Sequence, residues 1–115
     1  MNESILTSTK IQLSLMPEDE SFDQEIIIFI NAAFARLTLL GVGPRTGFSI
    51  CDDSAVWSDF VVDITQEAMC KTYIFLKVKS LFDAPTNSSL SKHMEEQIKE
   101  YEYLLKIEAE DDADE

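Results

Sequence analysis

The sequence predicts an all-α fold: a small bundle of about four helices, with a long irregular loop between the two central helices and a long C-terminal helix. Apolar residues recur at helical spacing in two long segments, and a third segment begins with a helix-capping sequence. The chain contains only 3 glycines and 3 prolines, too few for the many tight turns of a sandwich or barrel.

Length and charge restrict the domain count and the class of partner. A chain of 115 residues that is 45% hydrophobic is sufficient for one domain with a core, which we expect at residues 1–109. Residues 110–115 should form an acidic, disordered tail. The net charge of −13 repels phosphates, so sequence-independent binding of DNA or RNA is not expected. Basic partners are favoured instead.

The N-terminal sequence and the cysteines indicate a cytosolic setting. MNESILTSTK lacks a basic region followed by an apolar one, so no signal peptide is predicted. The longest apolar run, residues 26–42, is interrupted by Asn31 and Arg36 too early for a membrane span, so no membrane partner is expected. Cys51 and Cys70 favour two free thiols over a disulfide or a redox site.

The first predicted helix is short, covering residues 2–15. Either Asn2 or Ser4 could cap it, because a side-chain oxygen at that position accepts from the first free backbone N–H groups. Its apolar stripe is weak. The stripe consists of Ile5, Leu6, Leu13 and, less clearly, Ile11.

The second predicted helix covers residues 21–40. Ser21 with Gln24 three positions later has the form of a capping box, and Gly41 follows where a left-handed C-terminal residue belongs. Ile28 projects into the middle of the polar face, which is either an ordinary exposed residue or a subunit contact. The apolar face consists of Ile26, Ile30, Ala33, Phe34, Leu37 and Leu40.

The segment after Gly41 is predicted to be an irregular loop. It lacks the glycine spacing of a phosphate-binding turn and follows no strand, so a phosphate cradle is not expected. Residues 48–50 could form a short extended piece, and residues 51–54 a turn. Its aromatic residues should anchor the loop on the helices rather than stack on a ligand. The expected anchors are Gly41, Gly43, Pro44, Phe48, Trp57 and Phe60.

Residues 71–79, KTYIFLKVK, have the composition of a β-strand but are better interpreted as helix. A strand would place two aromatic rings and two lysines on one face, which is neither apolar nor polar. Asp63 with Gln66 three positions later resembles a helix cap, and we predict a buried helix over residues 64–81. The helix macrodipole favours positive charge near the C-terminal end of this helix. Its lysines are Lys71, Lys77 and Lys79.

The last predicted helix begins after Thr86 or Asn87 and runs to about Ala109. Its apolar stripe is one residue wide over much of its length, so the helix packs either on its own chain or on another. Glu–Lys pairs four residues apart, including Glu102 with Lys106, occupy the polar faces. The stripe consists of Leu90, Met94, Ile98, Tyr101 and Leu105.

Catalytic and metal-binding patterns are not evident. His93 is the only histidine, so a histidine-based metal cluster cannot form, and a His93–Glu96 pair lacks further ligands. No glycine-containing turn that could form an oxyanion hole lies near His93 in the sequence. The tail carboxylates lack the spacing of a calcium loop. From the residues alone, the chain is an acidic, mostly helical interaction domain without a cofactor.

Three sequence blocks carry a resemblance to a known family. They are LGVGPRTGFSI at residues 40–50, AVWSDF at 55–60 and YIFLKVKSLFDAPTNSS at 73–89, followed by the amphipathic helix with EEQIKEYEYLL. This order resembles the head–tail connector proteins of tailed bacteriophages, also called head-completion or adaptor proteins, of the siphophage type. The resemblance extends from about Ile5 to Leu105.

The resemblance implies a structural virion protein without enzyme activity. Many copies would form a cyclic homo-oligomer beneath the portal, complete the head, extend the DNA channel and bind the next connector, stopper or tail protein. DNA would pass through the lumen without sequence-specific binding. The protein would assemble in the host cytoplasm and reside at the head–tail junction of the virion. The alternative is an acidic helical binding module, such as a regulator or DNA mimic.

A head-to-tail ring requires two different faces on each subunit. Ile28 and the stripe of the last helix are the expected faces, and the lysines could bind acidic neighbours. The full set of interface candidates is Ile28, Lys77, Lys79, Phe82, Asp83, Pro85, Tyr101 and Leu105.

Overall fold

The computed structural model describes residues 3–61 and 63–113. Within these residues the regular structure is helical, and the only β contact is an isolated antiparallel bridge between Ser4 and Val56. The all-α prediction is therefore confirmed, and the extended piece expected at residues 48–50 forms no strand. The helices are α1 (Ile5–Gln12), α2 (Asp23–Leu39), α3 (Trp57–Phe60), α4 (Ile64–Phe82) and α5 (Ser88–Ala113).

Helix α4 is the centre of the bundle. It packs on α2 along one side and on α5 along another, while α1 crosses α2 and α4. Phe22, just before α2, contacts Phe82 at the end of α4, so these two helices run antiparallel. At the opposite end of the bundle, Gly41 after α2 lies beside Ala109 of α5. The core is built mainly from the inner faces of α2 and α4 and from the segment between them, while α1 and α5 each contribute fewer buried side chains.

Helix α1 is tied to the start of α2 by a buried ion pair. Ser4 caps α1, accepting a hydrogen bond from the Thr7 N–H at 3.2 Å. The Lys10 ammonium, only 3% exposed, donates to the Pro17 carbonyl at 2.9 Å and lies 2.7 Å from the Asp23 carboxylate. A buried lysine is stable only with such partners, so this pair determines how the two helices meet.

The start of α2 differs from the prediction. Ser21 does not cap the helix: its N–H donates to the Asp19 side chain at 3.0 Å, and Phe22 occupies the N-cap position without a side-chain hydrogen bond. Phe22 instead packs edge-on against Phe82, with ring centroids 5.4 Å apart. Tertiary contacts of Phe22 and Asp23 therefore replace the capping box that the local sequence indicated.

The end of α2 was predicted correctly. Gly41 has φ +87, and its N–H donates to the Thr38 carbonyl at 3.0 Å. The Val42 N–H donates to the Leu37 carbonyl at 2.9 Å, which completes a Schellman motif. The chain then turns away from the helix, with Val42 buried.

Helix α4 confirms the helical interpretation of KTYIFLKVK. Asp63 caps it, since its carboxylate accepts from the Gln66 N–H at 2.9 Å. Tyr73, Ile74 and Val78 have no exposed surface, because α4 is covered by neighbours on several sides. Burial of these residues offsets their weak helix propensity.

Helix α5 begins after Asn87, whose side-chain oxygen accepts from the Ser89 and Leu90 N–H groups at 2.8 and 3.2 Å. The helix reaches Ala113, four residues beyond the predicted end, and so includes part of the expected tail. Residues 114 and 115 lie outside the described residues. The narrow stripe packs on the chain itself at Ile98 and Leu105, whereas Leu90 is 59% exposed.

Candidate functional site

The irregular segment between α2 and α4 is held on the bundle by an aromatic cluster. Phe34 of α2 packs against Phe48 and Phe60, with ring centroids 4.9 and 4.7 Å away. The two loop rings are themselves 5.3 Å apart. The predicted anchors Phe48 and Phe60 thus share one partner, which joins both ends of the segment to the middle of α2.

Polar contacts hold the same segment at two further points. The Asn31 side chain of α2 donates to the Ile50 carbonyl at 2.9 Å and accepts from the Ile50 N–H at 2.8 Å. The buried Trp57 ring donates from Nε1 to the Ser8 hydroxyl of α1 at 2.9 Å. The Asn31 amide therefore hydrogen-bonds both backbone polar groups of Ile50, which pairs with no strand.

Gly43, another predicted anchor, has a backbone that other residues rarely adopt. Its φ is +85, and a Cβ atom there would overlap the Phe60 ring. Pro44 next to it is half-buried. The glycine is required both by the turn and by the close approach of the ring.

A groove of about 560 Å³ lies between α4 and α5. Pro85, Met94 and Ile98 supply apolar surface, and the Lys77 and Lys99 side chains also line it. It is the feature that brings predicted interface residues together, because Lys77 and Pro85 both line it.

A three-helix polar network closes one end of this groove. Glu102 of α5 accepts from the Tyr73 hydroxyl of α4 at 2.8 Å and pairs with Arg36 of α2 at 3.3 Å. Burial, and then the hydrogen bond to this carboxylate, raise the pKa of Tyr73. The predicted pairing of Glu102 with Lys106 is therefore wrong: the carboxylate points inward and joins three helices.

The three lysines of α4 have three different environments. Lys71 pairs with Glu3 at 2.7 Å and lies 5.9 Å from the centre of the Trp57 ring. Lys79 pairs with Asp83 within its own helix end, at 3.4 Å. Lys77 faces the groove and forms no ion pair within the part of the chain that the structure describes.

The remaining interface candidates are distributed between surface and core. Phe82 is half-buried against Phe22, and Tyr101 is half-buried on α5. Leu105 has no exposed surface because it packs in the core, so it cannot contribute to a surface patch in this structure. Leu105 was predicted to be an interface residue from helical periodicity alone, and periodicity does not distinguish a core position from an interface position.

Helix α2 carries an exposed apolar stripe on the face opposite the core. Ile28 is 64% exposed and Leu39 is 79% exposed. Ala32 and Ala35 lie between them at positions four and seven residues after Ile28, and both are exposed. These four residues, which we call the α2 stripe, share one helix face. Sequence reasoning identified only Ile28, although the i, i+4, i+7, i+11 spacing was present.

Further apolar residues are exposed on other elements. Tyr103 and Leu104 of α5 are 65% and 41% exposed, and Ile64 at the start of α4 is 83% exposed. Apolar side chains are therefore exposed on more than one side of the bundle. Singly exposed apolar residues are normal on a protein surface, so a contiguous set such as the α2 stripe is the stronger indication of a contact.

The described residues contain no group of three or more His, Cys, Asp or Glu side chains arranged to hold a metal ion. Cys51 is exposed and Cys70 is buried, and both are free thiols. Burial raises the pKa of Cys70 to about 12, which keeps this thiol protonated and unreactive. No helix in residues 3–61 and 63–113 is long and apolar enough to cross a membrane.

Fold and surfaces together describe a small acidic helical protein with apolar side chains exposed on α2, α4 and α5. The chain belongs to the Phage connector protein family, whose sequence profile matches residues 5–112. The resemblance to phage head–tail connector proteins is thereby confirmed at the level of the family, and the siphophage type stays a prediction. Membership of this family indicates a structural role in a phage particle. Searches of curated proteins and of solved structures returned no significant match.

Proposed function

We propose that this protein forms a ring beneath the portal, completes the head, extends the DNA channel and joins the head to the tail. The observation that carries this proposal is the family match over residues 5–112, which spans the whole helical domain. The ring contains many copies of this chain. Its two ends bind the portal and the next connector, stopper or tail protein.

The charge of the chain supports this role. With 22 acidic against 9 basic residues, a ring would present carboxylates to any DNA that passes through it. Repulsion between carboxylates and phosphates reduces adhesion of the DNA to the channel wall. The DNA therefore moves through the lumen without sequence-specific binding.

The distribution of apolar surface also supports a ring. A head-to-tail ring needs two different faces on each subunit, since each face meets the opposite face of a neighbour. The α2 stripe and the exposed apolar residues Tyr103 and Leu104 of α5 are on different helices. We assign subunit contacts to the α2 stripe, and we place Phe82, Asp83 and Tyr101 near the contacts with other connector components.

Native mass spectrometry of the purified chain, alone and mixed with the portal protein of the same phage, tests the proposal. We expect a complex in which several copies of this chain bind one portal ring, and electron microscopy should show a collar at its narrow end. A monomer without the portal is compatible with the proposal, because assembly can require the template. A chain that never joins the portal would instead support the acidic binding module.

A further inference from the structure

The α2 stripe has a pattern that is the same in both directions along the helix. Its four members are spaced 4, 3 and 4 residues apart, with a large aliphatic side chain at each end and two alanines between them. This is the spacing at which two α-helices pack along a common seam. On an antiparallel second copy of α2, Ile28 would lie opposite Leu39. In the same register, Ala32 would lie opposite Ala35.

The middle of the α2 stripe allows two helices to approach closely. Ala32 and Ala35 project only a methyl group each, and the distance between packed helices depends on the side chains at the contact. Ile28 and Leu39, 64% and 79% exposed, would cover the two ends of the seam. The helix is already ordered by packing on α4, so association requires no further ordering of its backbone.

Charge also favours this face for a contact between two copies. Each copy has a net charge of −13, so copies repel each other over most of their surface. Among the exposed residues of α2, a helix that the structure describes throughout, only Glu25 and Arg36 are charged, and their charges are opposite. Two α2 stripes can therefore meet without placing carboxylates against each other.

The exposed apolar residues of α5 are a less suitable seam. Tyr103, Leu104 and Ile107 span only about one helical turn, whereas the α2 stripe spans about three turns, or about 16 Å. Glu96 and Glu100 are exposed in the turns before them, on the same side of the helix. A second α5 would meet these carboxylates, so α2 is the face that fits a second copy.

We propose that the free protein forms a two-fold symmetric dimer in which the α2 stripes of two copies pack antiparallel. The contact is isologous, since the same residues are used on both sides, and it closes at two copies. The seam is short compared with a standard protein interface, so the dimer is weak and separates on dilution.

The dimer would also control when the ring forms, a consequence that rests on the proposed function. The ring uses the α2 stripe for its subunit contacts, so one copy cannot be in the dimer and in the ring through the same stripe. The dimer therefore covers the stripe in the free protein. Contacts with the portal would replace it.

Sedimentation velocity and native mass spectrometry of the unaltered chain, without the portal, test the dimer. Between micromolar and millimolar concentration the mass should shift from one copy to two, with no larger species. Ile28→Glu and Leu39→Lys should each weaken dimerisation about a hundredfold or more, because two unpaired charges would be desolvated in the seam. The matched control is Ile64→Glu, at an exposed isoleucine outside α2, which should leave the dimer intact.

Mixing the two single variants tests the antiparallel register. In a mixed dimer the introduced carboxylate of one copy would face the introduced ammonium of the other, while the opposite end keeps an unaltered Ile28 and Leu39 pair. Native mass spectrometry should therefore show a dimer with one copy of each variant. In a parallel pair the two altered positions would lie about 16 Å apart and mixing would restore nothing. Both variants remain strongly negative, so general attraction between them cannot explain a mixed dimer.

Three results would overturn the dimer: a monomer at every concentration, a dimer that Ile28→Glu leaves unchanged, or monomeric variants that form no mixed dimer. The portal experiment separates this inference from the proposed function. A chain that stays monomeric but joins the portal removes the dimer and leaves the proposed function. A chain that forms the mixed dimer but never joins the portal removes the proposed function and leaves the dimer.

Discussion

The loop between α2 and α4 and the helix α5 are opposites in regularity and in packing. The loop has one four-residue helix, yet Val42, Ile50, Trp57, Phe60 and Val61 are all buried. Helix α5, with 26 residues, is the longest of the described helices, yet Tyr103 and Leu104 are exposed, and among its residues 88–110 only Ile98 and Leu105 are buried. Regular secondary structure and contribution to the core are thus separate properties in this chain.

The difference suggests a division of roles. Side chains of the loop make specific contacts with α1 and α2, so changes there should reduce the free energy of unfolding. The outer faces of α2 and α5 make few contacts within the subunit and remain available for other copies. Substitutions should therefore separate into those that unfold the subunit and those that leave it folded but unassembled.

Phe34→Ala should have the largest effect on stability. Phe34 is fully buried and contacts the rings of Phe48, Trp57 and Phe60. Removal of such a ring leaves a cavity and should lower the free energy of unfolding by about 3–5 kcal/mol. Urea denaturation measures this loss in the free energy of unfolding. The control is Phe22→Ala, whose ring is 43% exposed, and equal losses in the two variants would contradict the central place of the loop cluster.

Gly43→Ala should have the next largest effect and lower the free energy of unfolding by about 2–3 kcal/mol. The alanine would have to adopt a left-handed backbone conformation, and its Cβ atom would overlap the Phe60 ring. Gly47→Ala is the matched control: its φ is +93, but a Cβ there would meet only the Thr38 hydroxyl at 3.9 Å. The control should lose only about 1 kcal/mol. The difference between the two denaturation midpoints isolates the ring contact, and no difference would mean that Phe60 moves aside freely.

High pH should destabilise the core around α4. Burial raises the pKa of Cys70 from 9.0 to about 12 and also raises the pKa of Tyr73. Above about pH 9 these groups ionise in the unfolded chain but not in the folded chain. The unfolded chain therefore binds fewer protons, and the free energy of unfolding falls as pH rises. Between pH 8 and pH 10.5 we expect a loss of about 2–3 kcal/mol.

Denaturation at several pH values checks this expectation. Tyr73→Phe and Cys70→Ala should each flatten the dependence of the denaturation midpoint on pH, because each removes one ionising group. An unchanged slope in both variants would assign the pH dependence to other groups.

Much of the fold could be predicted from the sequence because its signals are local. The Asp63 and Asn87 caps and the left-handed Gly41 depend on residues within one helical turn, and all three were identified. The buried core of α4 was recognised because the alternation of a strand failed. Such features depend on spacing along the chain, which the sequence displays directly.

The features that were missed depend on contacts between distant residues. Ser21 matched a capping box, but the pair of Phe22 with Phe82 determines where α2 begins. Glu102 matched a local pair with Lys106, but it binds Arg36 and Tyr73 on other helices. Likewise, the buried Lys10 gave no signal in the sequence, because its partners Pro17 and Asp23 become neighbours only after the chain turns.

Ile28→Glu should have the smallest effect on stability and a large effect on assembly. Its side chain is 64% exposed, so the free energy of unfolding should change by no more than about 0.5 kcal/mol. A carboxylate at the first position of the α2 stripe would be desolvated without a partner in a subunit contact, so rings on the portal should be lost. Circular dichroism during urea denaturation and native mass spectrometry measure the two effects.

The matched control is Ile64→Glu, the same substitution at an isoleucine that is 83% exposed at the start of α4. Both variants have the same charge, so a difference between them reports position alone. Rings lost only with Ile28→Glu assign the subunit contact to the α2 stripe. Rings retained with Ile28→Glu but lost with Ile64→Glu would assign the subunit contact to the start of α4 instead. An exposed apolar residue identifies an interface only where its removal prevents assembly without unfolding the subunit.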